Sequence, residues 1–197
     1  MHIRSTARIL CAVALAAAIS SDAPAGLPYG VGVPITVPTD NVTITLFFDH
    51  ASAEYTGNLY FLGSGDADTV INPAPNSDAT NQGFLTFNNH ASVVGTAIDL
   101  PGVFNAGDVL HFAYDIVAPV TATTAVLRTD VAGDQMQFAW DPQNSFFEIE
   151  DIYLDNPLCD EDYNDIVVGV CFIPVPGPGA LALLGIAGVF GRGRRRA

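Results

Sequence analysis

Hydrophobic and polar residues alternate in short runs along the middle of the chain. Valine, isoleucine, threonine and aromatic residues make up these runs, and glycine, proline, asparagine and aspartate bound them. Such runs are typical of β-strands, and no long stretch has the apolar spacing of an amphipathic helix. The predicted strands cover residues 42–49, 57–62, 83–88, 92–98, 109–117, 123–129, 134–140, 145–152 and 165–173.

The alternation also predicts which face of each strand is buried. One face of residues 109–117 consists of Leu110, Phe112, Tyr114 and Ile116. In residues 145–152, Glu148 and Glu150 alternate with apolar residues, so we expect these acids on the solvent face. Residues 165–173 are apolar on both faces, which predicts a strand in the middle of a sheet. The expected fold class is all-β, as a single-domain antiparallel β-sandwich of jelly-roll-like type.

Composition divides the chain into four segments. Residues 1–25 and 174–197 combine apolar runs with arginines, residues 26–40 are a proline- and glycine-rich lead-in, and residues 41–173 hold the predicted strands. The middle segment is the size of one domain. Within it, residues 63–82 are polar and are expected to form a long loop over one edge of the sandwich.

The first 25 residues have the order of a secretory signal peptide. Arg4 and Arg8 precede an apolar run from Ile9 to Ile19, and small residues follow it. Cleavage after Ser20 or after residue 25 would fit equally. A retained membrane anchor is the alternative, although the apolar run is short for a membrane span.

The last 24 residues form a second terminal segment, which has three parts. A proline- and glycine-rich breaker ends with Val175, Pro176, Gly177, Pro178 and Gly179. An apolar segment, residues 180–190, then predicts a short hydrophobic helix, and four arginines follow within residues 192–196. This order resembles the PEP-CTERM sorting signal of Gram-negative-type bacteria, with Gly177 where the usual motif has glutamate.

The resemblance implies an exported protein that an exosortase-type enzyme processes at the membrane. A plain C-terminal transmembrane anchor is the alternative, although the apolar segment is shorter than a full span of about 20 residues. The terminal arginines would hold this end of the chain on the cytoplasmic side.

The charge of the chain is strongly negative. Its formal net charge is −14, it contains no lysine, and Arg128 is the only arginine between residues 26 and 175. Binding to nucleic acid is therefore not expected, because phosphates require clustered cations. The acidity fits either solubility in salt or the binding of divalent cations.

Acidic residues concentrate between residues 148 and 165. Asp160, Asp162, Asn164 and Asp165 supply oxygen ligands at close spacing, and Glu150 and Asp151 arrive from the preceding strand. Oxygen ligands of this kind suit Ca²⁺. The pattern is not an EF-hand, because that loop needs glycine at its sixth position and glutamate at its twelfth. The alternatives are a solvated loop, or a turn in which Asn164 and Asp165 hydrogen-bond their own backbone.

The same region carries a resemblance to a family. The stretch FFEIEDIYLDNPLCDEDYNDIVVGV resembles the end of the bacterial family known as domain of unknown function 4114, whose members close with an F-E-D segment and D-x-D-[YF]-N-D before an apolar strand. Residues 150–151 and 160–165 fall on that pattern, and the resemblance extends over about residues 42–172. Residues 152–159 depart from it, with Pro157 and Cys159 where glycine is commoner. The resemblance implies a secreted, calcium-binding module without an assigned reaction.

Two cysteines remain once the signal peptide, which contains Cys11, is removed. Cys159 and Cys171 form an even pair in an exported protein, and a bridge between them would enclose the acidic segment. In the chain-entropy model such a loop is worth roughly 3 kcal/mol. Two reduced thiols are the alternative.

Sequence motifs for catalysis are missing. The chain has no G-x-S-x-G, H-E-x-x-H or glycine-rich phosphate loop, and its histidines are expected to be structural or exposed. Trp140, Tyr55 and Tyr60 would suit either core packing or stacking on sugars. The sequence thus predicts an exported, non-enzymatic protein of the cell envelope or extracellular matrix, with a structural calcium site. The alternative is a module that binds exopolysaccharide.

Overall fold

A computed structural model of the chain describes residues 30–53, 55–75, 83–117, 124–152 and 162–176. These residues form two antiparallel β-sheets of six strands each. The expected all-β sandwich is confirmed. The predicted signal peptide, and the apolar and arginine-rich parts of the predicted tail, lie outside the described residues.

Twelve strands and one short 3₁₀ helix make up the described structure. The helix covers Asp134–Gln137. The strands are β1 Gly30–Val31, β2 Ile35–Thr36, β3 Val42–His50, β4 Thr56–Asp66, β5 Thr69–Pro73, β6 Phe84–Asn88, β7 Ala97–Asp99, β8 Val109–Val117, β9 Thr124–Arg128, β10 Phe138–Asp141, β11 Phe146–Ile149 and β12 Ile166–Pro174.

The first sheet has the strand order β1-β10-β11-β12-β3-β7. In the second sheet, β4 and β8 pair along almost their whole length. Strands β5 and β6 flank β4, and β2 and β9 flank β8. The four longest strands, β3, β4, β8 and β12, therefore lie inside the sheets.

Aromatic side chains from both sheets fill the space between them. Phe112 of β8 and Phe147 of β11 have ring centroids 4.8 Å apart. Phe48 of β3 and Phe87 of β6 make a second contact across the sandwich at 5.7 Å. Each fully buried ring contributes about 1.5–3 kcal/mol through removal of apolar surface from water. These contacts hold the two sheets face to face.

Strand β12 is the central strand that the sequence predicts. It lies between β11 and β3. Ile166 and Val168 face the core, and Val167 and Cys171 on the other face are also buried. A strand of this kind gives a rigid base to the acidic segment that precedes it.

Three predicted strands are much shorter in the structure. The strand predicted at residues 145–152 covers only Phe146–Ile149. Of residues 92–98, only the end belongs to β7, because Val93 and Val94 lie in an exposed turn. The turn is stabilised locally, since the Thr96 N–H donates to the Val93 carbonyl at 2.9 Å. Residues 134–140 begin with the 3₁₀ helix and become β-strand only at Phe138.

Two segments predicted as irregular contain strands. Strand β4 continues to Asp66 and turns directly into β5, so residues 63–73 form a hairpin instead of a loop. The lead-in contains β1 and β2, and these pair with β10 and β8, in different sheets. The polar composition of the hairpin and the proline-rich composition of the lead-in gave no strand pattern in the sequence.

Within the part of the chain that the structure describes, no helix has the length and apolarity needed to cross a membrane.

Candidate metal centre

The register of one strand pair brings the acidic residues together. Strand β11 ends at Ile149, β12 begins at Ile166, and these two residues pair directly. The residues just after β11 and just before β12 therefore meet at the same end of the sheet. These residues are Glu150, Asp151 and Asp165, which we call the acidic triad.

The acidic triad is buried. Glu150, Asp151 and Asp165 are only 1%, 5% and 7% exposed. One carboxylate oxygen from each residue lies within 4.8 Å of the others. Two ligands of one Ca²⁺, each 2.3–2.6 Å from the ion, are at most about 5 Å apart, so the spacing of these oxygens is compatible with a single shared ion.

Backbone hydrogen bonds fix the triad in place. The Asp151 N–H donates to Asp165 Oδ2 at 2.6 Å, and the Ile152 N–H donates to Glu150 Oε1 at 3.2 Å. A side-chain hydrogen bond also joins Glu150 to Asp165.

The 3₁₀ helix holds the same segment from the other side. Gln137 Nε2 donates to the carbonyl oxygens of Glu150 at 3.2 Å and of Ile152 at 2.7 Å. In return, the Glu150 N–H donates to the Gln137 carbonyl at 2.9 Å. The chain therefore has little freedom where it leaves β11.

The electrostatics of the triad disfavour three negative charges. Burial raises the pKa of the Asp165 carboxyl to about 8, the N–H of Asp151 opposes the shift, and the charges of Asp151 and Glu150 add to it. The one lysine or arginine among the described residues, Arg128, donates to both carboxylate oxygens of Asp130 at 2.9 and 2.8 Å. A proton or a bound cation would relieve the repulsion within the triad.

A tyrosine from the opposite sheet adds a further polar group. Tyr114 of β8 is fully buried, and its hydroxyl has no hydrogen-bond partner among the described residues. Burial raises the pKa of this hydroxyl, and the charges of Asp151 and Asp165 raise it further. The hydroxyl thus lies within the electrostatic field of the triad.

The other predicted ligands are placed differently. Asp162 is exposed, and its carboxylate accepts hydrogen bonds from the backbone N–H of Asn164, at 3.2 Å, and from the Asn164 side-chain amide. These two residues therefore bond one another in a local turn, and they are not part of the triad. The alternative interpretation placed the turn at Asn164 and Asp165, whereas Asp165 accepts its hydrogen bond from Asp151, 14 residues away. Asp160 lies outside the described residues.

The expected exposure of Glu150 is wrong. The alternation along residues 145–152 predicts that Glu150 faces solvent, but it is buried. The reason is that β11 ends at Ile149. Beyond that point the period of two no longer decides which way a side chain points.

Cys171 is disulfide-bonded, and its partner lies outside the described residues. The chain has only two other cysteines, Cys11 and Cys159. The pairing of Cys159 with Cys171 stays a prediction.

The start of the predicted sorting motif is attached to the domain. The Val175 N–H donates to the Asn41 carbonyl at 2.8 Å, and Asn41 Nδ2 donates to the Val175 carbonyl at 2.7 Å. Pro176 is exposed. Gly177, Pro178 and Gly179 lie outside the described residues.

The aromatic residues considered for sugar stacking divide between core and surface. Trp140 is 7% exposed and belongs to the core, and Tyr55 packs against that core. Tyr60 is half-buried on the outer face of the second sheet. Trp140 is therefore not available for stacking.

The described histidines lie away from the triad. His111 is fully buried, with Nε2 2.7 Å from the Asp66 carbonyl oxygen. His50 and His90 are exposed. None of the three belongs to the cluster of possible metal ligands.

Sequence reasoning did not single out Tyr114 and Gln137 as parts of the site. Tyr114 occupies a core position of β8, so a polar group in an otherwise apolar register was the available signal. Gln137 gave no signal, because its partners are backbone groups of a segment 13 residues away.

Comparisons with family models, with curated proteins and with solved structures give no match. The resemblances to the domain of unknown function 4114 family and to the PEP-CTERM signal therefore rest on the sequence motifs and stay predictions.

Proposed function

We propose that this chain is an exported, non-enzymatic protein of the cell envelope or extracellular matrix, and that its acidic triad binds one Ca²⁺ as a structural ion. The observation that carries the proposal is the burial of three carboxylates within 4.8 Å of one another. Burying charged groups is costly unless they are paired or coordinate a metal.

The donor set favours calcium among the common divalent ions. All three donors of the triad are carboxylates, and hard oxygen ligands suit Ca²⁺ better than Zn²⁺, which is bound mostly by histidine and cysteine. Mg²⁺ loses its waters reluctantly and is rarely held in a buried protein site. Ca²⁺ accepts 6–8 oxygens with flexible geometry, and backbone carbonyls and water can complete such a shell.

Burial supports a structural role for the ion. A substrate would need to reach the triad, whose residues are at most 7% exposed. An open cavity of about 100 Å³ is lined by other residues, among them Ile35, Leu110 and Phe147. An ion at the triad would join the chain that leaves β11 to the start of the central strand β12.

The ends of the sequence support export. The signal-peptide pattern of residues 1–25 and the three-part tail of residues 174–197 suit delivery to the envelope of a Gram-negative-type bacterium, with an exosortase-type enzyme and the membrane as partners. The hydrogen bonds between Asn41 and Val175 attach the first residue of the predicted sorting motif to the folded domain.

Thermal unfolding with and without calcium tests the proposal. Protein treated with a chelator should melt several degrees below the same protein in excess Ca²⁺, because a ligand at 100 times its Kd adds about 2.7 kcal/mol to the free energy of unfolding. Asp165→Asn should lose most of this shift. Asp66→Asn removes one charge from an exposed residue of the second sheet and should keep it. Identical melting curves of the wild-type protein in chelator and in Ca²⁺ would reject the proposal.

A further inference from the structure

Tyr114 connects the candidate site to the opposite sheet. We infer that the Tyr114 hydroxyl is a positioning group that hydrogen-bonds a water molecule bound to the ion of the acidic triad, so that one cation joins both sheets of the sandwich. The inference rests on the proposed function, because it requires a cation at the triad.

The direction of the Tyr114 side chain follows from its neighbours on β4. Tyr114 pairs with Leu59, whereas its ring and hydroxyl occupy the space above Gly57, where any Cβ atom would overlap them. Gly57 lies two residues nearer to the beginning of β4 than Leu59 does. The hydroxyl therefore projects toward the end of the sandwich where β4 begins.

The acidic triad lies at that same end. Strand β3 ends at His50, which pairs with Val167 near the start of β12. In the segment that leads from β3 to β4, the Ser52 N–H donates to the carbonyl of Asn164 at 2.9 Å, one residue before Asp165. The hydroxyl of Tyr114 and the carboxylates of the triad thus lie at the same end of the sandwich, on facing sheets.

The hydroxyl needs a partner that the described residues do not supply. It is buried and makes no hydrogen bond to any of them. Burial of a hydroxyl without a hydrogen bond is unfavourable, and a water molecule commonly bridges polar groups too far apart for direct contact. An ion with 6–8 oxygen ligands and three carboxylates still has positions for water. Such a water would satisfy the hydroxyl and orient it toward the ion.

Outer-shell groups of this type tune the affinity of a metal site. Removing a hydrogen-bond partner of a metal ligand typically weakens metal binding 10–100-fold. Without the ion, the same hydroxyl only carries the cost of its burial. Removing the hydroxyl should therefore weaken the binding of the ion, but it should not destabilise the protein that holds no ion.

Tyr114→Phe separates these effects, because it removes the hydroxyl and keeps the ring. The full-length protein is titrated with Ca²⁺ by calorimetry, and its melting temperature is measured in chelator. We expect the Kd for Ca²⁺ to rise about 10–100-fold. In chelator, the melting temperature should stay equal to that of wild type or increase. Tyr60→Phe, the same change on the outer face of the second sheet, should leave both quantities unchanged.

Each of the remaining outcomes contradicts either the inference alone or the proposed function as well. If Tyr114→Phe binds Ca²⁺ within twofold of wild type, the inference fails while the proposed function stands. A lower melting temperature in chelator would show that the hydroxyl already has a structural partner, which also overturns the inference. If wild type binds no Ca²⁺, both statements fall together.

Discussion

At the scale of single residues, Asp165 would link the protonation of the site to the proposed metal binding. Its pKa is raised to about 8 by burial and by the charges of Asp151 and Glu150. An aspartate in an unfolded chain has a pKa near 4. Between these two values the folded state holds a proton that the unfolded state lacks, unless a cation replaces it.

This difference predicts how stability depends on pH. In chelator, the free energy of unfolding should fall as the pH rises from about 4 toward 8, because the proton that the folded state prefers is lost. The decrease is at most about 1.4 kcal/mol per pH unit, and solvent screening reduces it. The stability that the Asp165 proton contributes is thus fully present below the pKa of aspartate in the unfolded chain. It is lost as the pH rises through the pKa of Asp165 in the folded state.

Calcium should oppose this loss of stability at high pH. Because Ca²⁺ competes with the proton, the increase in melting temperature caused by Ca²⁺ should be larger at pH 8 than at pH 5. Melting curves at both pH values, each with Ca²⁺ and with chelator, measure this increase. A larger increase at pH 5 would contradict the assignment of Asp165 as a ligand.

The residues of the site were predictable only in part. Glu150, Asp151 and Asp165 stand out in the sequence because eight acids crowd into residues 148–165. Which of these acids meet depends on the pairing of Ile149 with Ile166, and no local pattern specifies that register. Asp162 satisfies its carboxylate within its own turn, so its spacing in the sequence was a misleading guide.

At the scale of secondary structure, the 3₁₀ helix Asp134–Gln137 supports the segment that carries two of the proposed ligands. The side chain of Gln137 bonds the carbonyls of Glu150 and Ile152, and its backbone carbonyl bonds the Glu150 N–H. The helix therefore fixes the path of the chain after β11.

Gln137→Ala tests this support. One buried and one partly buried carbonyl group would lose a donor, which should lower the free energy of unfolding by about 1–3 kcal/mol with or without Ca²⁺. Urea denaturation gives this quantity. Gln143→Ala removes an exposed glutamine and should change it little. Equal stabilities of the two variants would exclude a supporting role for Gln137.

The elements differ in how well the sequence predicts them. Strands β3 and β8 alternate core-facing apolar residues with other residues over nine positions, so periodicity identifies them, although His111 and Ala113 on the other face of β8 are also buried. Strand β5 is exposed along most of its length and depends on its hairpin with β4, which leaves no apolar pattern to read. Strands β1 and β2 have two residues each, too few to show any period.

At the scale of the whole molecule, the chain combines a folded domain with two terminal segments of different composition. Asn41 joins the domain to Val175, at the beginning of the predicted sorting motif. The first residue of the segment that is proposed to act in sorting is therefore attached to the domain.

Deleting residues 177–197 tests the proposed sorting. In a bacterium that possesses an exosortase-type enzyme, the shortened protein should still be exported but should be lost from the envelope or matrix fraction into the medium. Cell fractionation with immunodetection measures the distribution, and the full chain is the control. An unchanged distribution would contradict a sorting role for the tail.

The central claim is that one divalent cation binds between the carboxylates of Glu150, Asp151 and Asp165. Crystals grown with Ca²⁺ and then exchanged into Tb³⁺, a strong anomalous scatterer, locate the ion directly. The account predicts one principal anomalous peak per chain, about 2.3–2.6 Å from a carboxylate oxygen of each of the three residues. A principal peak elsewhere, or ordered carboxylates with no peak between them, would contradict it.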